Sequence, residues 1–138
     1  MGSAWYIVAH EPEVLEGVVV NGKAFGRHFD HLGVLAEENG LPRPEAYCSQ
    51  SKEEALSFLC GQLGLRPEDI PASSIAEETW HPPQEGLDYV NALAELVRSG
   101  SSMAATVRQA VLEDLEEYQV ALGRLVGHEC TWHFAVDV

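Results

Sequence analysis

The sequence is short of positive charge: eight lysines and arginines stand against twenty-two acidic residues in 138, a formal net charge of -14. A surface of that sign repels phosphate backbones and anionic lipid, so nucleic acid and membranes are excluded as expected partners. Cysteine is also scarce. Cys48, Cys60 and Cys130 are an odd set of three, unlike the dense, even set of a secreted disulfide scaffold. Free thiols suit a reducing compartment. Long hydrophobic runs are missing too: no apolar stretch approaches the roughly 20 residues that cross a bilayer. The apolar run from Trp5 to Ala9 is too short for a signal peptide, and no basic residue precedes Lys23. A cytoplasmic protein of bacterial type is the expectation.

Catalytic signatures are absent as well. There is no G-x-x-x-x-G-K-[ST] loop, no G-x-G-x-x-G after a strand and no G-x-S-x-G elbow. No cofactor is therefore expected, and the sequence sets no oligomeric state.

What is present is a globular composition, 46% hydrophobic and 22% charged, of a length suited to a single domain spanning residues 1–138. Ala4 to Ala9 reads as a strand, and Val18 to Val20 as a shorter one. Asn21-Gly22 then turns into a helix from about Lys23 to Asn39, with Phe25, Phe29, Leu32 and Ala36 at helical spacing. Gly40 closes it and Pro42 and Pro44 forbid continuation. Glu45 to Ser49 is an edge strand or extended loop.

Ser51 and Glu54 match a capping box, opening a second helix whose buried stripe is Leu56, Leu59 and Leu63, with Cys60 beside it. Gly64 ends it. Arg66 to Pro83, with four prolines, is a long loop. Leu87, Val90, Ala94 and Val97 mark a third helix, and Gly100 to Ser102 a flexible break. A fourth helix, about Ala104 to Val126, carries Leu112, Leu115, Leu122 and Leu125 on one face. Glu113, Asp114, Glu116 and Glu117 fall on the other. Thr131 to Val138 alternates as a strand, with Trp132, Phe134, Val136 and Val138 on one face. The pattern predicts an α+β fold: a small, mainly antiparallel sheet pairing the first and last strands, covered by about four helices.

Candidate chemistry is sparse. His128, Cys130 and His133 are the densest group of metal-capable ligands, but strand alternation sends His133 to the opposite face, so no metal site is expected. His28 and His31, one turn apart, read as histidines at the edge of the core. Cys48, just ahead of a helix start, is the thiol best placed for reactivity, since a helix amino terminus lowers a thiol's pKa. Cys60 reads as inert packing.

Two features point to binding. The acids from Glu113 to Glu117 have no basic residue four positions on, so the helix does not neutralise itself. Glu113, Glu116 and Glu117 are the candidate docking residues for a basic protein. Trp80 and His81, inside the proline-rich loop, are a second candidate: the indole offers a stacking face and the imidazole a proton near neutral pH. The sequence thus favours a non-enzymatic interaction or regulatory module, inhibitor-like or immunity-like toward a basic partner. The alternative is a small enzyme or ligand-binding protein that uses histidines, with or without a metal.

Val20-Asn21-Gly22-Lys23-Ala24, Glu78-Thr79-Trp80, Glu85-Gly86-Leu87 and the ending from Trp132 to Asp137 resemble a family of small bacterial proteins without an assigned activity. The last third, a long helix running into a terminal strand, is also similar to the YfbM-like domain of unknown function. Neither resemblance implies a functional residue.

Overall fold

The computed structural model describes residues 4–71, 77–100 and 102–137. It is an α+β fold, and its elements are β1 (Ala4–Ala9), α1 (Lys23–Arg27), α2 (Phe29–Glu38), α3 (Lys52–Leu63), α4 (Pro83–Gly100), α5 (Ala105–Gly127) and β2 (Trp132–Asp137). Short 3-10 turns at Pro12–Leu15, Pro44–Tyr47 and Pro67–Asp69 punctuate them, each with a proline in its first turn. The chain divides into two compact units, Met1–Cys48 with Trp80–Val138, and Ser49–Thr79.

In the larger unit, β1 and β2 pair antiparallel, from Ala4 opposite Asp137 to Ala9 opposite Trp132. Register places Trp5, Ile7, Ala9, Trp132 and Phe134 on one face, and all five are buried. Against this face packs an aromatic cluster. Phe25 stands 5.4 Å from Trp5 and 5.2 Å from Tyr118, and Trp132 meets Phe134 edge-on at 4.9 Å. Each such pair is worth about 0.5–1.5 kcal/mol beyond area burial. α4 and α5 lie along one another and bury Val90, Leu93, Ala94, Val97, Leu115, Leu122 and Leu125.

The second sheet face is also lined by buried residues, His133 and Ala135. Val136, expected inside, is 39% exposed, although it pairs with Trp5 near the end of the sheet. Val138 and Ser101 lie outside the described residues, as does part of the Arg66–Pro83 loop.

Three expected elements differ. Val18 to Val20 forms no strand, and Val19 is 77% exposed. The segment has no strand partner among the described residues and leads into the turn at Gly22. The helix expected from Lys23 to Asn39 is broken at His28, whose dihedrals (φ -113°, ψ 18°) leave the helical region. Phe25, Leu32 and Ala36 are buried nevertheless, so the apolar spacing survives the break that it could not report. Glu45 to Ser49 contributes only the end of a 3-10 turn and one bridge, from Cys48 to Phe134.

Gly22 shows why that turn is a glycine. Its φ is +67°, and a Cβ there would collide with the backbone of Trp5, whose amide donates to the Gly22 carbonyl at 3.0 Å. Glycine, however, brings no side chain to cap α1.

In the smaller unit the Ser51 cap is observed. Its hydroxyl accepts from the Glu54 amide at 3.1 Å, and Gly64 ends α3 in the left-handed conformation. The expected buried stripe is not there. Ala55 is the buried residue of α3, while Leu56, Leu59 and Cys60 are half-buried and Leu63 is exposed. Leu56, Leu59, Cys60 and Leu63 share one helical stripe, but the described residues of this short unit supply too little facing surface to bury it.

Candidate functional site

The acidic segment of α5 separates into two groups with different work. Asp114, expected on the solvated face, is instead buried. Its Oδ2 accepts from the Phe25 amide at 2.9 Å, and the Gly22 and Ala24 amides also bond to this carboxylate. It is the cap that Gly22 lacks, supplied from another helix. Burial raises its pKa, and the three amides pull the other way. Glu117 accepts from the Asn21 amide at 2.8 Å and extends the same cap.

Glu113 and Glu116 remain on the surface. With Glu117 and Val120 they occupy positions i, i+3, i+4 and i+7, a single stripe that lines a shallow depression of about 410 Å³. Val120 is 62% exposed at its end. Among the described residues no ion pair engages these glutamates. Arg124, next along the stripe, donates to the Glu16 carbonyl at 2.9 Å. Lys23 and Arg27 line a separate depression of about 280 Å³ with Glu113 and Asp114. The expected docking residues are thus brought together, and Glu117 carries a structural role besides.

The second candidate, Trp80 and His81, sits beside β2. His81 exchanges both backbone bonds with Trp132, at 2.9 and 3.1 Å, and the Trp132 indole donates to the Pro82 carbonyl. Trp80 is half-buried, with His10 and His133 at 4.8 and 4.7 Å from its ring. Tyr47 lies 4.9 Å from His81 and stacks on Trp132 at 5.5 Å. Burial, with a hydrogen bond to Glu85 and its charge, pushes the Tyr47 phenol up to about 12. Burial lowers the pKa of His81 against the opposing pull of Glu85, and His133 lowers it further. The His81 Nε2 is buried with no hydrogen-bond partner among the described residues. Sequence reasoning found Trp80 and His81 but missed Tyr47, Glu85 and His10, which reach the corner from distant segments with no shared motif.

The other candidates lie elsewhere in the fold. Among the described residues no group of three or more metal-capable side chains converges. His128 is exposed beyond α5, while the buried Cys130 sulfur accepts from the Glu11 amide and donates to the Thr131 carbonyl. His28 sits at the break between α1 and α2, and His31 faces the Ser102 hydroxyl at 3.4 Å. Cys48 is not activated: burial first, and then Glu45, push its thiol up to about 12, so it stays protonated near neutral pH.

No family of known sequences, no curated protein and no solved structure matches this chain.

Proposed function

We propose that the protein is an acidic interaction module that docks a basic protein through the exposed stripe of α5. The carrying observation is the Glu113, Glu116, Glu117 and Val120 stripe: three carboxylates around a shallow depression, without an ion-pair partner, ending on an exposed apolar side chain. Like charges at this spacing destabilise a helix by a few tenths of a kcal/mol per pair. A cationic surface seated there removes that cost and steers association. The net charge of -14 adds long-range attraction that salt screens within about 10 Å at 0.1 M. An inhibitor-like or immunity-like role toward a basic protein follows as the class of activity.

The test is capture of a stoichiometric basic partner, followed by reversal of Glu113 and Glu116 to lysine. The expected result is a salt-labile complex lost in the reversed variant. A complex indifferent to both salt and reversal sinks the proposal. Glu117 is a poorer site for reversal, because losing its bond to Asn21 also disturbs α1.

One observation favours a second reading, a small-molecule site at the Trp80 and His81 corner. A buried imidazole nitrogen without a partner, beside a carboxylate and two aromatic rings, is a group ready to bond a ligand. Histidine-selective NMR with a fragment library tests it. Shifts confined to His81 and the Trp80 indole favour that reading, and their absence across the library removes it.

A further inference from the structure

Unit Ser49–Thr79 carries an apolar surface that its described residues leave open. Phe58 is 61% exposed and Leu65 is 42% exposed. Glu54, Phe58 and Gly61 follow one another at steps of four and three residues, so they form one line along α3, and Leu65 comes just past the Gly64 end of the helix. A Cβ placed on Gly61 would meet nothing within 4 Å, so the surface beside Phe58 is open to a partner's side chain. An exposed aromatic one turn before an open glycine is a shape that a facing helix can occupy.

Charge decides the occupant. The unit holds six acids, Glu53, Glu54, Glu68, Asp69, Glu77 and Glu78, against two bases. Both bases are already engaged: Lys52 pairs with Glu77 at 3.5 Å, and Arg66 lies 3.7 Å from Glu68 and 3.6 Å from Asp69. The acid heading the stripe, Glu54, makes no ion pair among the described residues. A second copy would bring the same acidic rim and a further charge of -14 to the contact. A segment with an apolar face flanked by lysine or arginine complements both the exposed Phe58 and the acids around it.

We infer that the Phe58 face of α3, with Leu65 just past the helix end, docks a cationic amphipathic helix of a partner protein. The inference rests on the reading of this chain as a receptor for a basic protein and adds a second, apolar point of attachment. Phe58 is the anchor, since a large aromatic supplies much contact area with few rotatable bonds. Glu54, one turn before it, fixes the polarity of the approach.

The experiment uses fluorescence anisotropy of a labelled amphipathic helical peptide made only of leucine and lysine, titrated with the full chain. A leucine and glutamate peptide of the same pattern is the control. The expected result is binding of the lysine peptide alone, weakened about tenfold or more by Phe58→Ser and by Leu65→Ser. Glu54→Lys is expected to weaken the lysine peptide and admit the glutamate one. These three positions are exposed, so unchanged urea midpoints verify folding. Wild-type affinity in both serine variants overturns the inference. If the Glu113→Lys/Glu116→Lys variant alone then loses the peptide, the α5 reading stands while this one falls. A concentration-dependent dimer in sedimentation that Phe58→Ser abolishes also overturns it, since the occupant is then a second copy.

Discussion

Replacing Asp114 by alanine tests the link between a buried acid on α5 and the start of a helix ninety residues earlier in the chain. The substitution leaves the Phe25 amide without its 2.9 Å acceptor in a place where Phe25 is fully buried. An unsatisfied buried amide costs about 1–3 kcal/mol. Loss of a helix cap adds about 1 kcal/mol. Removing a carboxylate whose burial is unfavourable, as its raised pKa records, offsets part of that cost. The net expectation is a loss of about 1–3 kcal/mol, or roughly 4–12 °C in Tm for a chain of this size. Urea unfolding followed by circular dichroism measures it. Asp114→Asn keeps an acceptor and is expected to cost less, at most about 1 kcal/mol near neutral pH. The two also differ with pH. Because the native state holds the Asp114 proton more tightly than the unfolded chain, wild-type stability rises as pH falls through its raised pKa toward the ordinary value of 3.8. The asparagine variant lacks that gain. Asp114→Ala unfolding within about 0.5 kcal/mol of wild type would refute the argument, because the amides of α1 would then be bonded elsewhere.

The remaining predictions concern other parts of the molecule. Gly86→Ala drives a Cβ into the Trp132 indole, which is fully buried, and is expected to lower the urea midpoint by about 1–3 kcal/mol equivalent. His81 has a lowered pKa, so the unfolded chain binds its proton first. Its contribution is complete above 6.5 and is lost as pH falls from 6.5 toward the folded value, a slope that His81→Gln flattens in stepwise urea titrations. Glu116→Lys is expected to leave stability within about 0.5 kcal/mol of wild type, whereas Glu117→Lys loses its bond to the Asn21 amide and costs about 1 kcal/mol more by the same assay.

Local rules made some of this architecture legible. Ser51 and Glu54 announce a helix start because a cap is written within four residues. The alternation from Thr131 announces a strand because period two is a property of the backbone. The antiparallel pairing of the outer strands followed from an apolar face that needed covering. What stayed hidden depends on distant partners. Asp114 looks like another solvated acid until Gly22, Ala24 and Phe25 are folded beneath it. The break at His28 leaves the spacing of Phe25, Leu32 and Ala36 undisturbed, so periodicity passes over it. The leucines of α3 promise burial by pattern, yet burial needs a facing surface, which no pattern records. The Trp80 and His81 corner was half legible. Two of its members are unusual residues in a proline-rich loop, but Tyr47 and Glu85 arrive from segments that carry no mark of it.

The pairing of Ala4–Ala9 with Trp132–Asp137 also sets an order of events during synthesis. β1 is made early, but its partner is made only after every helix in between. At about 5–20 residues per second, the chain grows for roughly 6–25 s before Trp132 follows Ala9. Throughout that interval Trp5 and Ile7 belong to a strand with no neighbour, and Phe25 and Tyr118 have no Phe134 to close over. The helices can form locally, but the core that α1, α2, α4 and α5 share waits for β2. The nascent protein is therefore a client for whatever shields apolar segments at the ribosome, and its edge strand is the part most exposed to pairing with the wrong chain.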